Sequence, residues 1–394
     1  MNARIIIGKN FGDEGKGLAT DFFARLARQN NKDCLTVRFN GGAQAGHTVD
    51  LPGERMVFHQ LSSGSFRGAL TYWAEDFLPD MYKLGEETAE LAAMGHRIPV
   101  VFASPLCRCV YIDDVLINMA LETRRGADRH GSCGMGIDEA VQRSKRFCLS
   151  LETVVTDTAE KLYHRLRAVR LRYLAIRLAE LDLSLSEAGE YGELLQSDAV
   201  LRNAAERMKR NAELVTLTGG DVAQGYDEVI FEGAQGLLLD ENRTEFAPHL
   251  TSSRTGVFNA ARFIEKHLPG ADTEVVYVTR AYVTRHGAGS LPHEDSGIKT
   301  RYNITDRTNI TNEWQGSLRF ARHGSPADFL RPVTDDIKAA APHTLSLFVT
   351  HLNETGGKLL TAGGDLAQSE WIKAYGGVFD RIYLSSTPFS RDII

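Results

Sequence analysis

Two glycine-rich turns near the start of the chain hold the residues best suited to chemistry. The first reads Gly8-Lys9-Asn10-Phe11-Gly12-Asp13-Glu14-Gly15-Lys16-Gly17 and follows the apolar run Ile5-Ile6-Ile7. The second, Asn40-Gly41-Gly42-Ala43-Gln44-Ala45-Gly46-His47-Thr48, follows an apolar run over 34–39. A glycine-rich turn between a strand and a helix aims backbone N–H groups and the positive end of the helix dipole at one point, which suits a phosphate. The first turn approximates the phosphate loop G-x-x-x-x-G-K-[ST] but departs from it twice. Asn10 stands at the first glycine, and Gly17 replaces the hydroxyl residue that would hold a metal. The acidic pair beside Lys16 adds what a bare strand-to-helix turn lacks, because Asp13 can meet a metal or act as a base.

The elements that must carry these turns recur along the chain. Apolar strand patterns over 4–8, 34–39, 98–102, 228–232, 274–284, 345–349 and 381–384 alternate with helical periodicity, and the glycine-rich or polar turns follow the strands. This predicts an α/β fold: a large central, mostly parallel sheet flanked by helices, resembling a phosphate-loop nucleoside triphosphatase, with the turns meeting in one crevice. Helical periodicity over 157–181 and 197–216 reads as an excursion (about 157–217) from a single domain spanning 1–394. Arg165, Arg167, Arg170, Arg172 and Arg177 read as its solvated face, without the interleaved aromatics of a nucleic-acid stripe. A basic, glycine-rich loop over 124–136 suits a phosphate or plain solvated surface, and 298–322 reads as polar loop. No internal repeat or low-complexity tract is visible.

Composition narrows the function classes. The chain has 394 residues, 43% hydrophobic, enough for a large core. Its 45 Lys and Arg against 51 Asp and Glu give a net charge of −6, so no basic field draws it to nucleic acid. No run approaches the ~18 apolar residues of a membrane span. The chain enters a strand directly after Met1-Asn2-Ala3, without a signal-peptide core. Five cysteines show no zinc spacing, and an odd count without a leader predicts reduced thiols and a cytoplasmic protein.

A third stretch, Phe231-Glu232-Gly233-Ala234-Gln235-Gly236 through Thr251-Ser252-Ser253, completes a pattern. With Gly12-Asp13-Glu14-Gly15-Lys16-Gly17 and the Asn40–Thr48 turn, in this order and spacing, it resembles adenylosuccinate synthetase. Thr284-Arg285-x-Gly-Ala-Gly289 and Ser385-Ser386-Thr387-Pro388 are weaker echoes. The likeness spans most of the chain and diverges over 107–143 and from 298 onward. It implies a purine-biosynthesis C–N ligase: a nucleoside triphosphate phosphorylates the purine 6-oxo group, and aspartate's amine then displaces the phosphate. IMP is the default acceptor. It further implies Mg2+, ATP or GTP as donor, and a homodimer, with no nucleic-acid or membrane partner.

Carried over position by position, the resemblance makes Asp13 the base and a magnesium ligand, with the Gly46 carbonyl as a second ligand. His47 becomes the acid on the transferring phosphoryl group, and Gln235 orients purine O6 and N1. Lys16 and the turn residues Gly12, Glu14, Gly15 and Gly17 would hold phosphate. Gln44 stands where the family has Asn beside the purine nucleotide, and Ser132-Cys133 replace a Thr-Thr pair. Leu239 and Thr251 would line that nucleotide, and Arg143 would reach its phosphate across a dimer. Asn353 and Ser385 fall in the triphosphate's base site, where His351 and Asn353 replace Lys and Asp. The family's arginine-rich aspartate clamp is reduced to Arg307, with Thr308, and Arg319. Alternatives are a phage-type enzyme acting on (d)GMP, whose members share the Asn but carry Ser in place of Asp13, a ligase using another amine, and a catalytically silent nucleotide-binding homologue.

Overall fold

The computed structural model describes residues 1–126, 134–306 and 316–394. Nine strands form one sheet: β1 (Asn2–Gly8), β2 (Cys34–Arg38), β3 (Leu70–Trp73), β4 (Val101–Ala103), β5 (Val215–Leu217), β6 (Glu228–Glu232), β7 (Asp272–Arg280), β8 (Thr344–Thr350) and β9 (Arg381–Leu384). Their spatial order is β9-β8-β7-β1-β6-β2-β3-β4-β5, and every pairing is parallel. The central strands are continuous apolar runs because helices cover both faces. Ile5 and Ile7 join Val229, Phe231, Val275 and Tyr277 in the core on one face; Ile6, Ile230, Val276 and Val278 pack with Phe22, Phe23 and Phe348 on the other.

β1 is the pivot. It pairs with β6 (Ile6 beside Glu232) and with β7 (Gly8 beside Val278), so the loops after β1, β6 and β7 leave the sheet side by side. β2 and β8 lie one strand further out on either side. The helix Lys16–Gln29 begins immediately after the first glycine-rich turn, and its Phe22 and Phe23 seat it on the sheet.

The helices Ala159–Glu180 and Asp198–Ala212 occupy the predicted excursion, capped by Thr158 and Ser197. Leu162, Leu166, Leu201 and Met208 share one core with Trp73, Phe77 and Leu84. Two of the supposed surface arginines are spent internally: Arg170 pairs with Asp113 and Arg177 with Glu139. The strand predicted over 274–284 is broken. β7 ends at Arg280 because Ala281 bonds to Thr350 and Leu360, and Val283–Arg285 then pairs antiparallel with Arg319–Ala321. Among the described residues no helix is long and apolar enough to cross a membrane.

Candidate active site

One cleft of about 1660 Å³ runs along the carboxyl ends of the central strands. Single small-molecule sites hold roughly 300–1,000 Å³, so this one has room for more than one ligand. Gly12, Asp13, Gly15, Lys16, Gly17, Gln44, Gly46, His47, Gln235, Leu239, Thr251, Asn353 and Ser385 all line it. Strand order separates them: Asn353 and Ser385 follow β8 and β9, Asp13 follows β1, and Gln235, Gln44 and His47 follow β6 and β2.

Glu14 corrects an expectation. It does not line the cleft but is buried behind the loop, where Oε1 accepts the N–H groups of Asn10 (2.9 Å) and Gly12 (2.8 Å) and Oε2 holds Lys16 Nζ at 2.9 Å. The carboxylate draws those amides inward, so Glu14 shapes the turn and anchors Lys16 instead of touching a nucleotide. Asp13 adopts a left-handed conformation (φ 61°) and lines the cleft. Its carbonyl accepts Arg280 Nε at 2.5 Å. Gln235 (φ 63°) and His351 (φ 59°), which line the same cleft, share this uncommon backbone state, a concentration of strain typical of functional sites.

Two glycines are dictated by close approach. A Cβ on Gly236 would lie 2.3 Å from Asn10 O and Gly12 N, so the loops after β1 and β6 can interlock only there. A Cβ on Gly17 would lie 2.8 Å from Thr48 O, which explains why the hydroxyl residue of an ordinary phosphate loop is missing. The motif residue Asn40 knits three segments: Oδ1 accepts Ala234 N at 2.8 Å and Nδ2 donates to Arg254 O at 2.9 Å.

His47 opens a hairpin (His47–Leu51 with Glu54–Phe58) that brings it over the helix start. Its Nδ1 lies 3.2 Å from Glu232 Oε1, and Glu232 Oε2 lies 3.8 Å from Arg38 and accepts Ser63 N. Burial pushes the His47 pKa down, with Arg38 and Lys16 adding to it against Glu232. Burial also works against the Glu232 charge, but His47 and Arg38 outweigh it and hold the carboxyl at about 2. The histidine directs its Nδ1 at the carboxylate, and among the described residues its buried Nε2 has no hydrogen-bond partner. Both amide atoms of Gln44 are likewise buried without a partner among the described residues. Such groups cost free energy unless a ligand completes them.

The far wall holds residues the sequence reading did not single out. His286 Nε2 lies 3.6 Å from Asp13 Oδ2. Arg280 joins Asp306 at 3.0 Å, and Thr350 Oγ1 donates to Glu14 O at 2.7 Å while meeting His351 Nδ1 at 2.8 Å. The only sequence signal for His286 was its place inside the Thr284–Gly289 echo.

Two further expectations are corrected. Arg143 is fully buried and does not line the cleft; its guanidinium is held by Asp114, Cys109 O and Phe147 O. Arg319 is also outside the cleft, forked onto Glu294 and donating to Gly287 O (3.1 Å) and Gly289 O (2.8 Å). It braces the loop beside His286 and leaves no fork for a carboxylate. Ser132, Cys133, Arg307 and Thr308 lie outside the described residues.

A parallel sheet with a phosphate-loop-like turn at its pivot, opening on a cleft with room for more than one ligand, has the architecture of an α/β protein of the phosphate-loop kind. Residues 5–315 match the adenylosuccinate synthetase family, and the chain belongs to that family. It is 31% identical over 312 residues to adenylosuccinate synthetase of Aliivibrio fischeri and 29% over 302 residues to that of Dichelobacter nodosus. Each alignment covers 74% of this chain and 64% of the relative, so the matched part spans under two thirds of those proteins. The fold is similar to fully ligated adenylosuccinate synthetase from Plasmodium falciparum (TM-score 0.71, 16% identity, 100% of this chain and 99% of that one). It is also similar to cyanophage S-2L succinoaminodeoxyadenylate synthetase bound to dGMP and dATP as an energy donor (TM-score 0.63, 16% identity, 100% and 95%).

Proposed function

We propose that this protein is an NTP-dependent ligase that joins an amino acid, aspartate by default, to C6 of a purine nucleotide, with IMP as the default acceptor. The observation that carries this is the convergence of Asp13, Lys16, His47 and Gln235 on one cleft at the pivot of the sheet. A purine 6-oxo group leaves poorly, and phosphorylating O6 turns it into a leaving group. Asp13 takes the N1 proton as O6 attacks the γ-phosphoryl group, while the Gln235 amide orients O6 and N1. Lys16 and His47 face the charge of the transferring group. His47 acts as a donor in its protonated form, having taken a proton from solvent before the triphosphate closes the site, and Glu232 behind Nδ1 supports the imidazolium while Nε2–H donates to the phosphoryl oxygens. The amine then attacks C6 and phosphate departs.

Among the described residues no three His, Cys, Asp or Glu side chains form a ready-made cation cage. A Mg2+ ion needs none here, because it binds through one or two protein oxygens plus substrate phosphates. The Asp13 carboxylate and the Gly46 carbonyl, both on the cleft wall, suit that role. Bound there, the ion would neutralise charge on the triphosphate. The homodimer expectation loses its stated ground, since Arg143 is occupied within its own chain. The reading keeps the protein in the cytoplasm, in line with four described cysteines that are all free.

A second reading is an enzyme acting on (d)GMP. It is favoured by Asn353 on the triphosphate side of the cleft and by the fold's likeness to the cyanophage enzyme. Asp13 favours IMP, because phage-type members carry Ser there. A substrate matrix of ATP or GTP with IMP, GMP or dGMP and with aspartate or other amino acids, read by mass spectrometry, decides between the two. Triphosphate turnover that ignores both co-substrates would reject both readings.

A further inference from the structure

Arg319 is committed to Glu294, and among the described residues Arg285 is a buried cation on the cleft wall with N–H groups to spare for an amino-acid carboxylate. It ends the short strand Val283–Arg285, is 1% exposed, and lines the cleft. Its guanidinium carbon stacks 4.6 Å from the centre of the Phe11 ring and 6.0 Å from that of Phe246, which themselves meet edge to face. Nη1 donates to Ser290 O at 2.7 Å and Nη2 to His249 O at 2.9 Å, using two of the five N–H groups a guanidinium offers. Among the described residues no carboxylate partners it; burial, joined by the nearby charge of Arg319, lowers its pKa to about 10. A buried cation without a counter-ion is costly to keep unless a ligand supplies the missing charge. The neighbouring residue, His286, lies 3.6 Å from Asp13, so an anion held by Arg285 would sit close to the reacting centre.

Building on the ligase reading, we propose that Arg285 is a carboxylate anchor for the amino-acid substrate, in the role that Arg319 cannot fill. Packing against the Phe11 ring holds the planar fork, which suits a carboxylate better than a flexible ammonium would.

Two arms test this with the full-length protein, using wild type, Arg285→Lys and Arg285→Leu. In the kinetic arm, the Michaelis constant for aspartate should rise roughly 10- to 100-fold in Arg285→Leu, with Arg285→Lys between. The constants for the purine nucleotide and the triphosphate should stay within about threefold of wild type. The binding arm needs no turnover: succinate, a dicarboxylate without an amine, should raise the melting temperature of wild type but not of Arg285→Leu. If no substrate combination turns over but succinate still stabilises only wild type, the ligase reading fails and the carboxylate site stands. An unchanged aspartate constant in a folded Arg285→Leu protein, a rise confined to a nucleotide, or equal succinate stabilisation of both proteins overturns the proposal.

Discussion

The guanidinium of Arg143 grips the carboxylate of Asp114 through two parallel hydrogen bonds, Nε to Oδ1 and Nη2 to Oδ2, both 2.9 Å. Both side chains are 1% exposed, and Tyr111 lies under the guanidinium at 4.8 Å. Removing the arginine leaves Asp114 charged and buried, which typically costs about 3–5 kcal/mol. Arg143→Leu is therefore expected to lower stability on that scale in urea denaturation. At a temperature where the variant is folded, its Michaelis constant for the purine nucleotide should be unchanged. A large rise in that constant with normal stability would restore Arg143 to the binding site.

Asp13 stands apart from its neighbour Glu14 because it lines the cleft while Glu14 is internal to the turn. Asp13→Ala should therefore stay folded, its stability lowered by no more than the about 1–2 kcal/mol that alanine costs in the left-handed region, while ligation falls at least ~10²-fold, the scale of one general-base contribution. Near-normal turnover in a folded variant would remove Asp13 from the reaction.

Asn353 lies on the cleft wall and is exposed in the absence of a nucleotide. Guanine presents two adjacent donors, N1–H and the 2-amino group, which a carboxylate accepts together. A carboxamide offers one acceptor and one donor, which matches the 6-amino group and N1 of adenine. A mismatched polar contact in a closed site costs about 1–3 kcal/mol. ATP or dATP should accordingly serve at least as well as GTP, and Asn353→Asp should shift preference toward GTP by roughly one to two decades. Steady-state kinetics with each triphosphate measure this, and a strong wild-type preference for GTP would count against it.

How much of this was legible in the sequence depended on where the deciding partner lies. Turns after strands announced the crevice, because glycines and polar residues recur where apolar runs stop; the individual residues along it, from Gln44 to Ser385, came from the family resemblance. Which carboxylate of the Asp13-Glu14 pair faces the ligand was not legible, since it is set by the left-handed twist at Asp13 and by the amides of Asn10 and Gly12. Arg143, Arg170 and Arg177 looked available because their acids, Asp114, Asp113 and Glu139, come from helices that meet them only on packing. His286 reaches Asp13 through the pairing of β1 with β7, a long-range contact with no local signature.

His323 is buried, and its Nε2–H donates to Arg280 O at 3.0 Å. Burial, reinforced by Lys9, lowers its pKa from 6.5 to about 3. The unfolded chain thus binds a proton that the folded chain refuses between about pH 6.5 and 3. Above pH 6.5 the group costs folding nothing, and below it stability falls by up to about 1.4 kcal/mol per pH unit. His323→Gln should flatten the acid limb of stability against pH by that slope, measured by denaturant melts between pH 4 and 7. An unaltered slope would place the proton-linked loss elsewhere.

The central claim is that the purine 6-oxygen leaves as phosphate. The direct measurement is to supply IMP or dGMP labelled with 18O at C6, together with triphosphate and aspartate, and to weigh the inorganic phosphate by mass spectrometry. The account predicts one 18O in each phosphate released, in step with formation of the aspartate adduct, and no such transfer in Asp13→Ala. Phosphate that carries no label while the adduct accumulates would contradict it.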